Sequence, residues 1–441
     1  MESPQPSSDG HTSGVGYPSL LRNVPYEVLS HIFVLCSCSG PVLLPYQQAN
    51  VPFQVILSQV CSKWRQVALS TGALWGNILI FIDIVEDAHR LFLYRTWIDR
   101  AGAHPLNITI YLGDGGAEGA FQDFVLPFQI KMLDITLMYE KLPQLSDLPI
   151  LNVEEFAISF YVIRKMENFA APPFMNRTRS ICLNAGKTGD LGESQVMLKK
   201  LCLPWHQLSS LECDSFAVPL SILVSVLPQA QSLEHCKSSI FKAERVPLVE
   251  ISMPNLRRLT LTLHNVKPDI FIPLLATQNL TALCIYSSRG WSCNTYDIIK
   301  RHHRLHQLQE FQLHPLDFPT RIAQILVDAP LVRKLCVNGK PDVDAEALEG
   351  IASGRLGRSL SSLELGGCFD HTGEWLDMVE ARQRHVKALV TQVSNWRQMI
   401  TGLKTVEFRE VKRSVANKKR AAGLKALGTT VTLCESFPFT S

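Results

Sequence analysis

The stretch LSSLELGGC at residues 360–368 carries apolar residues at Leu360, Leu363 and Leu365, so that two and then one other residue separate them. The same cassette recurs along the chain from about residue 106. Alternating apolar positions predict a short strand. Intervals of 22 to 30 residues separate successive centres from residue 133 to residue 363, which leaves room for a helix and two turns. The central residues are Leu133, Phe156, Ile181, Leu211, Leu259, Leu283, Phe311, Leu335, Leu363 and Val406, with a weaker copy centred on Leu233.

The period and spacing of these cassettes resemble leucine-rich repeats. The resemblance implies an α/β solenoid over residues 79–441, with parallel strands on its concave face and helices on its convex face. Family members usually carry Asn or Cys three residues after the last apolar position, and of the cassettes only the one ending at Cys368 does so. We therefore expect irregular repeats. An ordinary α/β domain with parallel strands is the alternative.

The carboxy-terminal part departs from the regular spacing, and atypical units are expected from about residue 369. Apolar residues between Trp375 and Trp396 predict one long helix. A final unit is predicted as a helix from Val411 to Leu427 and a strand from Thr430 to Cys434. An unusual last repeat is expected because it leaves one end of the array exposed.

The amino-terminal part predicts a small helical module. Residues 1–19 are rich in Ser, Pro and Gly, which predicts a disordered tail. A first helix is predicted after Pro25, a residue that suits the first helical turn. A Pro-rich loop follows, and the apolar spacing from Ile56 to Ala68 predicts a second helix. The apolar face of the first helix is predicted to contain Val28, Leu29, Ile32, Phe33 and Cys36.

Three short patterns follow one another in this module. They are Val24-Pro25-x-Glu27-x-Leu29-x-x-Ile32-Phe33, then Leu57-Ser58-x-Val60-Cys61-x-x-Trp64-Arg65-x-Val67-Ala68, then Leu74-Trp75. In this order they resemble the F-box, in the form common in large fungal families, although that family usually has Leu-Pro in place of Val24-Pro25. The resemblance covers residues 20–78 and implies a three-helix module. It also implies docking on the Skp-type adaptor of an SCF ubiquitin ligase, and through it on a cullin scaffold.

The size of the module also favours a partner, for a reason that does not depend on the resemblance. A packet of about 60 residues is near the lower limit for an adequate core, and its helices carry more large apolar residues than it can bury. Surplus apolar surface indicates a binding surface. The alternative is that the helices only cap the repeat array. Adaptor contacts are predicted at Leu21, Val24, Pro25, Leu29, Val60, Cys61 and Trp64.

A basic region lies near the carboxyl end of a chain whose net charge is only +3. Residues 382–425 contain 12 Lys or Arg and two Glu, a local net charge of 12 − 2 = +10. The predicted last helix and its start contribute Lys412, Arg413, Lys418, Lys419 and Arg420. This patch could receive an acidic or phosphorylated client, serve nuclear import, or be a solvated face, which is the favoured interpretation. Sparse aromatic residues argue against nucleic-acid binding.

Patterns typical of catalysis, cofactors or metals are incomplete. The segment from Gly113 to Gly119 lacks the last Gly of a dinucleotide fingerprint and the Lys-Ser/Thr of a phosphate loop. The Arg301–His306 segment, RHHRLH, combines histidines with cations that would repel a metal, so it predicts a polar helix end. Cys36-x-Cys38 lacks the spacing and second pair of a zinc site. No cofactor is predicted.

The predicted role is therefore a non-catalytic substrate-recognition subunit of an SCF-type ubiquitin ligase, with an unknown protein client on the repeat face. The alternative is a protein-interaction scaffold with no ligase role. The amino terminus lacks the pattern of a secretory signal, and the apolar runs are too short to span a bilayer. These features predict a reduced protein of the cytoplasm, the nucleus or both, without membrane contact.

Overall fold

The computed structural model divides into two compact units. Unit 1 contains residues 1–80 and 87–109, and unit 2 contains residues 81–86 and 110–441. The predicted tail, Leu21, Lys412, Arg413 and the Gly113–Gly119 segment lie outside the described residues. The structure describes residues 24–37, 51–82, 88–112, 129–137, 153–160, 169–170, 177–185, 201–241, 249–288, 294–314, 320–339, 341–342, 344–366, 371–392, 400–411 and 414–435.

Unit 1 combines helices with two strands. Its helices are α1 Tyr26–Ser37, α2 Phe53–Val60, α3 Ser62–Ser70 and α4 Ala88–Ala101, with a 3₁₀ turn at Gly72–Leu74. Its strands are β1 Asn77–Ile82 and β2 Leu106–Leu112, whose final residues belong to unit 2. The Trp75 side chain is fully buried, donates from Nε1 to the Ala68 carbonyl at 2.8 Å, and packs edge-on against Trp97 at 5.0 Å. These contacts connect α4 to the end of the helical module.

A break at Cys61 separates α2 from α3, so the prediction of one continuous helix from Ile56 to Ala68 is wrong. Cys61 has an extended backbone, with φ −160° and ψ 171°. Its Sγ accepts the backbone N–H of Trp64 at 3.5 Å and thereby caps the start of α3. Periodicity alone did not reveal this break because the apolar spacing continues through it.

Unit 2 is built on a long parallel sheet. The strands of this sheet lie side by side in the order in which they follow one another along the chain, and all of these neighbours pair in parallel. The strands are β3 Ile130–Leu137, β4 Glu155–Phe160, β6 Ser180–Ala185, β8 Ser210–Pro219, β9 His235–Phe241, β11 Arg258–His264, β13 Ala282–Ser287, β14 Glu310–His314, β16 Lys334–Val337, β18 Ser362–Leu365, β19 Thr405–Val411 and β20 Thr430–Glu435.

Six shorter strands form two-stranded parallel sheets in the segments between the main strands. The pairs are β5 Phe169–Ala170 with β7 Leu201–Cys202, β10 Ile251–Ser252 with β12 Leu275–Ala276, and β15 Thr320–Arg321 with β17 Pro341–Asp342.

The cassette centres align across the main sheet. Leu259 pairs with Leu283, Leu283 with Phe311, and Phe311 with Leu335. The same row continues through Leu363 and the other predicted centres, and its members are at most 4% exposed. The α/β fold with parallel strands is therefore confirmed, and each cassette centre except Leu233 lies in the buried row.

The weak copy centred on Leu233 is displaced by three residues. Cys236 pairs with Leu211 on one side and Leu259 on the other, so Cys236 occupies the central position. Leu233 instead occupies the first apolar position of the same cassette. The third position is Ser238, which is 0% exposed. A Cys and a Ser at two of three apolar positions explain why the sequence pattern was weak there.

Helices and turns connect the strands of unit 2. The helices are α5 Leu220–Val226, α6 Pro268–Phe271, α7 Thr295–His302, α8 Ile322–Asp328, α9 Ala345–Ser353, α10 Thr372–Gln392 and α11 Val415–Lys425, and the 3₁₀ turns are Trp205–Gln207, Leu227–Gln229, Ile272–Leu274 and Leu305–Gln307. The predicted long helix is α10. The predicted last helix begins later than expected, at Val415, because the Ser414 hydroxyl caps α11 by accepting the Asn417 N–H.

Candidate functional site

Helix α1 in unit 1 presents an apolar stripe to solvent. Val28, Ile32 and Leu35 are 46%, 43% and 61% exposed. Their spacing of four and then three residues places them on one side of the helix. Leu29 and Phe33, on the neighbouring side, are buried in the module core. The helix thus has more apolar surface than the module covers.

Helix α2 presents a second stripe of the same kind. Phe53, Ile56 and Val60 are 37%, 47% and 56% exposed and lie three and then four residues apart. On the other side of the helix Leu57 is buried, and buried Gln54 donates from Nε2 to the Leu74 carbonyl at 3.0 Å. The exposed stripe is therefore a consequence of how α2 is anchored.

Contacts with α3 hold α1 in place and so define which of its sides faces solvent. The Lys63 ammonium donates to the Val24 carbonyl at 2.7 Å, and the Tyr26 hydroxyl donates to Gln66 Oε1 at 2.9 Å. The Phe33 and Trp64 rings pack with centroids 4.9 Å apart. An apolar surface fixed in this way is available to a partner without rearrangement of the module.

The predicted adaptor contacts are divided between surface and core. Pro25, Val60 and Cys61 are exposed, whereas Val24 and Trp64 are half-buried. Leu29 is 1% exposed and belongs to the core. The prediction omitted the exposed apolar residues Val28, Ile32, Leu35, Phe53 and Ile56, because the apolar spacing of each helix does not show which of its neighbouring apolar residues faces the core.

A second candidate surface is the polar face of the main sheet in unit 2. Because side chains alternate along a strand, the residues beside each buried cassette position lie on the opposite side. We call this side the polar face; it includes Glu212, Lys237, Arg258, Cys284, Tyr286, Glu310, Gln312, His314, Lys334, Cys336, Glu364, Glu407 and Arg409.

Ion pairs across strands organise the polar face. Glu310 lies 2.6 Å from Arg258 Nη1 and 3.2 Å from Lys334 Nζ. Arg258 reaches across β13 because the residue between it and Glu310 in the register is the small Ala282. Burial acts to raise the pKa of Glu310, but hydrogen bonds from Lys334 and Arg258 outweigh it and lower that pKa below its usual value.

Arg409 organises the neighbouring part of the polar face. Its guanidinium lies 2.5 Å from Glu364 Oε1 and 2.8 Å from Glu407 Oε1. On an earlier pair of strands, Lys237 Nζ lies 2.8 Å from Glu212 Oε1. The cations of the polar face are thus neutralised by its own carboxylates.

A cysteine and a histidine meet on this face without the chemistry of a nucleophilic pair. Cys336 Sγ lies 3.7 Å from His314 Nε2, and the His314 ring stacks on Tyr286 at 4.0 Å. Burial, with Glu364 nearby, raises the pKa of the Cys336 thiol, and burial lowers the pKa of His314 to about 4. Both groups are neutral at pH 7, so the thiolate that nucleophilic attack requires is not formed.

The predicted basic patch is only partly available for a partner. Lys418 and Lys419 are exposed on α11. The Arg420 guanidinium, however, lies 2.5 Å from Asp377 Oδ1 and 3.0 Å from Glu380 Oε1 on α10. Arg420 therefore contributes to the packing of the two helices rather than to a free cationic surface.

Other kinds of site were sought over the described residues. Their His, Cys, Asp and Glu side chains form no group of three that could hold a metal ion. None of the helices described has both the length and the apolar character needed to cross a bilayer. Comparison of the chain with models of known protein families and with curated proteins yields no match.

Proposed function

We propose that the chain is an F-box protein with leucine-rich repeats, which serves as the substrate-recognition subunit of an SCF-type ubiquitin ligase. The helical module docks on a Skp-type adaptor, and through it on a cullin scaffold. The polar face of the sheet receives a protein client. Catalysis belongs to other subunits, and this chain supplies proximity. The complex acts in the cytoplasm, the nucleus or both.

The exposed apolar stripes of α1 and α2 are the observation that carries this proposal. Six large apolar side chains in these two short helices are each at least 37% exposed. An exposed apolar patch of this kind on a small module indicates a binding surface. The polar and aromatic contacts with α3 hold α1 in position, and the hydrogen bond from Gln54 to the Leu74 carbonyl holds α2, as a docking surface requires. The order of residues resembling the F-box supports a Skp-type adaptor as the partner.

Calorimetric titration of the full chain with a purified Skp-type adaptor tests the proposal. Val60→Glu and Ile32→Glu are each expected to weaken binding at least tenfold. The reason is that each removes about 1.5 kcal/mol of apolar burial and adds a charge to a dry interface. Leu29→Ala is not a suitable probe, because Leu29 is in the core and its loss perturbs the fold.

Val415→Glu is the matched control for the stripe variants. Val415 is 86% exposed in unit 2 and begins α11, where an acidic residue favours the helix. We expect this variant to bind the adaptor like the wild type. If the wild-type chain gives no heat of binding at micromolar concentrations, the ligase role is excluded and the alternative of an interaction scaffold stands.

A further inference from the structure

The main sheet of unit 2 ends in a strand with an open edge. β20 pairs with β19 on one side, and no strand in the described part of the chain pairs with its other side. The Thr430 N–H donates to the Lys404 carbonyl at 2.8 Å, so the backbone groups of Thr430 point towards β19. Successive residues of a strand direct their backbone groups to opposite edges. The N–H and carbonyl groups of Val431 and Leu433 therefore point away from β19 and are open to another strand.

The apolar layer beside this edge is incompletely covered. Val431 and Leu433 are in register with Val406 and Phe408 of β19. Val406 and Phe408 are 1% and 0% exposed, whereas Val431 and Leu433 are half-buried. A terminal repeat needs a polar outer surface to remain in water, and here part of the apolar layer is open. A strand added at this edge would complete the burial of that layer.

The sequence of β20 lacks the residues that usually keep an open edge from pairing. Proteins protect such edges with charged residues or proline. Residues 429–434, TTVTLC, contain neither, and most of them are β-branched, which favours a strand. Because the stretch is uncharged, two copies of it can lie side by side without like charges opposite each other.

We propose that β20 pairs antiparallel with β20 of a second copy of this chain, across a two-fold axis at Thr432. Opposite residues in an antiparallel pair share one side of the sheet, so a residue on the buried side must face another such residue. An axis at Thr432 meets this condition, because it places Val431 of each copy opposite Leu433 of the other. Both residues have outward backbone groups, so each such pair exchanges two hydrogen bonds. The same edge serves both copies, as a two-fold interface requires.

A disulfide cross-link in the full chain tests the register. In the proposed pair Thr432 lies opposite Thr432 of the other copy, in a position without mutual hydrogen bonds where Cα atoms are about 4.5 Å apart. This separation suits a disulfide. Thr432→Cys in a Cys434→Ser background is expected to give a covalent dimer on mild oxidation. In mass spectra of a tryptic digest, two copies of the peptide that begins at Ala426 should be linked through position 432.

Thr405→Cys in the same background is the matched control for the cross-link. Thr405 is exposed like Thr432 but lies on β19, one strand in from the edge. We expect no linkage between two copies of position 405, since the proposed pair keeps the two β19 strands apart.

Sedimentation velocity of the full chain under reducing conditions measures the pairing without a cross-link. The wild type is expected to form reversible dimers at micromolar concentrations. Val431→Pro removes an outward N–H without removing a bond to β19, and should weaken the dimer about tenfold or more. Thr432→Lys places like charges opposite each other at the axis and should have a similar effect. Thr391→Lys, at an exposed position of α10, is the matched control and should leave the dissociation constant unchanged.

Three results would overturn the proposal. They are a wild-type chain that stays monomeric over this range, a dimer that neither Val431→Pro nor Thr432→Lys weakens, and a linkage at position 432 no more abundant than at position 405. The adaptor titration has an independent outcome, because β20 belongs to unit 2 and the apolar stripes belong to the helical module.

Discussion

Replacing Arg382 by Met should release a large part of the packing between α9 and α10. Arg382 is 0% exposed and donates hydrogen bonds to backbone carbonyls. Nη1 donates to Ile351 at 2.8 Å, Nε to Thr401 at 3.0 Å, and Nη2 to Thr401 and Gly357 at 2.7 and 2.8 Å. One side chain thus joins the end of α9, the following turn and the entry to β19.

The expected cost follows from these partners. Met preserves most of the stem volume but removes the charged donor from the carbonyls of Ile351, Gly357 and Thr401. The Ile351 and Gly357 carbonyls keep the N–H groups of Gly354 and Leu360 as donors. A hydrogen bond from a charged donor contributes about 1.5–3 kcal/mol, and several are lost together. Relief of the buried charge offsets part of the sum, since burial lowers the pKa of Arg382 to about 10. We expect a net loss of about 3 kcal/mol in the free energy of local opening.

Hydrogen exchange followed by mass spectrometry measures this loss where it arises. A loss of about 3 kcal/mol corresponds to exchange roughly 100-fold faster for protected amides in peptides covering 351–366 and 400–411. Arg384→Met is the control on the same helix, because Arg384 forms only an exposed ion pair with Glu380 at 3.2 Å. Exchange in the Arg382 variant within threefold of the Arg384 variant would refute the reasoning.

Three further changes test the packing of unit 2. Burial lowers the pKa of His303 in the folded protein to about 4, below its value of 6.5 in the unfolded chain. The free energy of unfolding therefore decreases as the pH falls from 6.5 to 4. Over this range wild type should lose about 3 kcal/mol more than His303→Gln in urea titrations, and equal losses would contradict this. Ser238→Ala should raise the free energy of unfolding by about 1 kcal/mol, because the buried Ser238 hydroxyl has no hydrogen-bond partner among described residues; a decrease would count against it. Gly354→Ala should cost about 2 kcal/mol in urea titrations, since φ is +74° and a Cβ would overlap Ile400, whereas Gly373→Ala, with open space around it, should not destabilise.

The strand register was predictable because one physical constraint repeats. Each strand must bury the same side, so apolar residues recur in pairs separated by one position, as at Leu259 and Leu261. The prediction failed at Leu233 because Cys236 and Ser238 satisfy the same burial with side chains that do not look apolar in sequence. The apolar pattern is therefore weak in the sequence at these two positions, although both side chains are buried in the sheet.

The surface of the helical module was less predictable than its helices. In α1 the consecutive apolar pairs Val28-Leu29 and Ile32-Phe33 fit a helical face equally well. Which member of each pair is buried depends on where α3 lies, and that is set by the contact of Trp64 with Phe33. Tertiary contacts between residues distant in the sequence decide this, so the periodicity of one helix does not predict which residue is buried.

Charge pairing on the polar face of unit 2 determines the kind of partner that this face favours. On the polar face, Arg258 and Arg409 are held by carboxylates of neighbouring strands, so a charged partner would first have to break these pairs. The polar face therefore favours a neutral partner that contacts surfaces such as the Tyr286 ring. Binding of such a client to this face should depend little on the salt concentration.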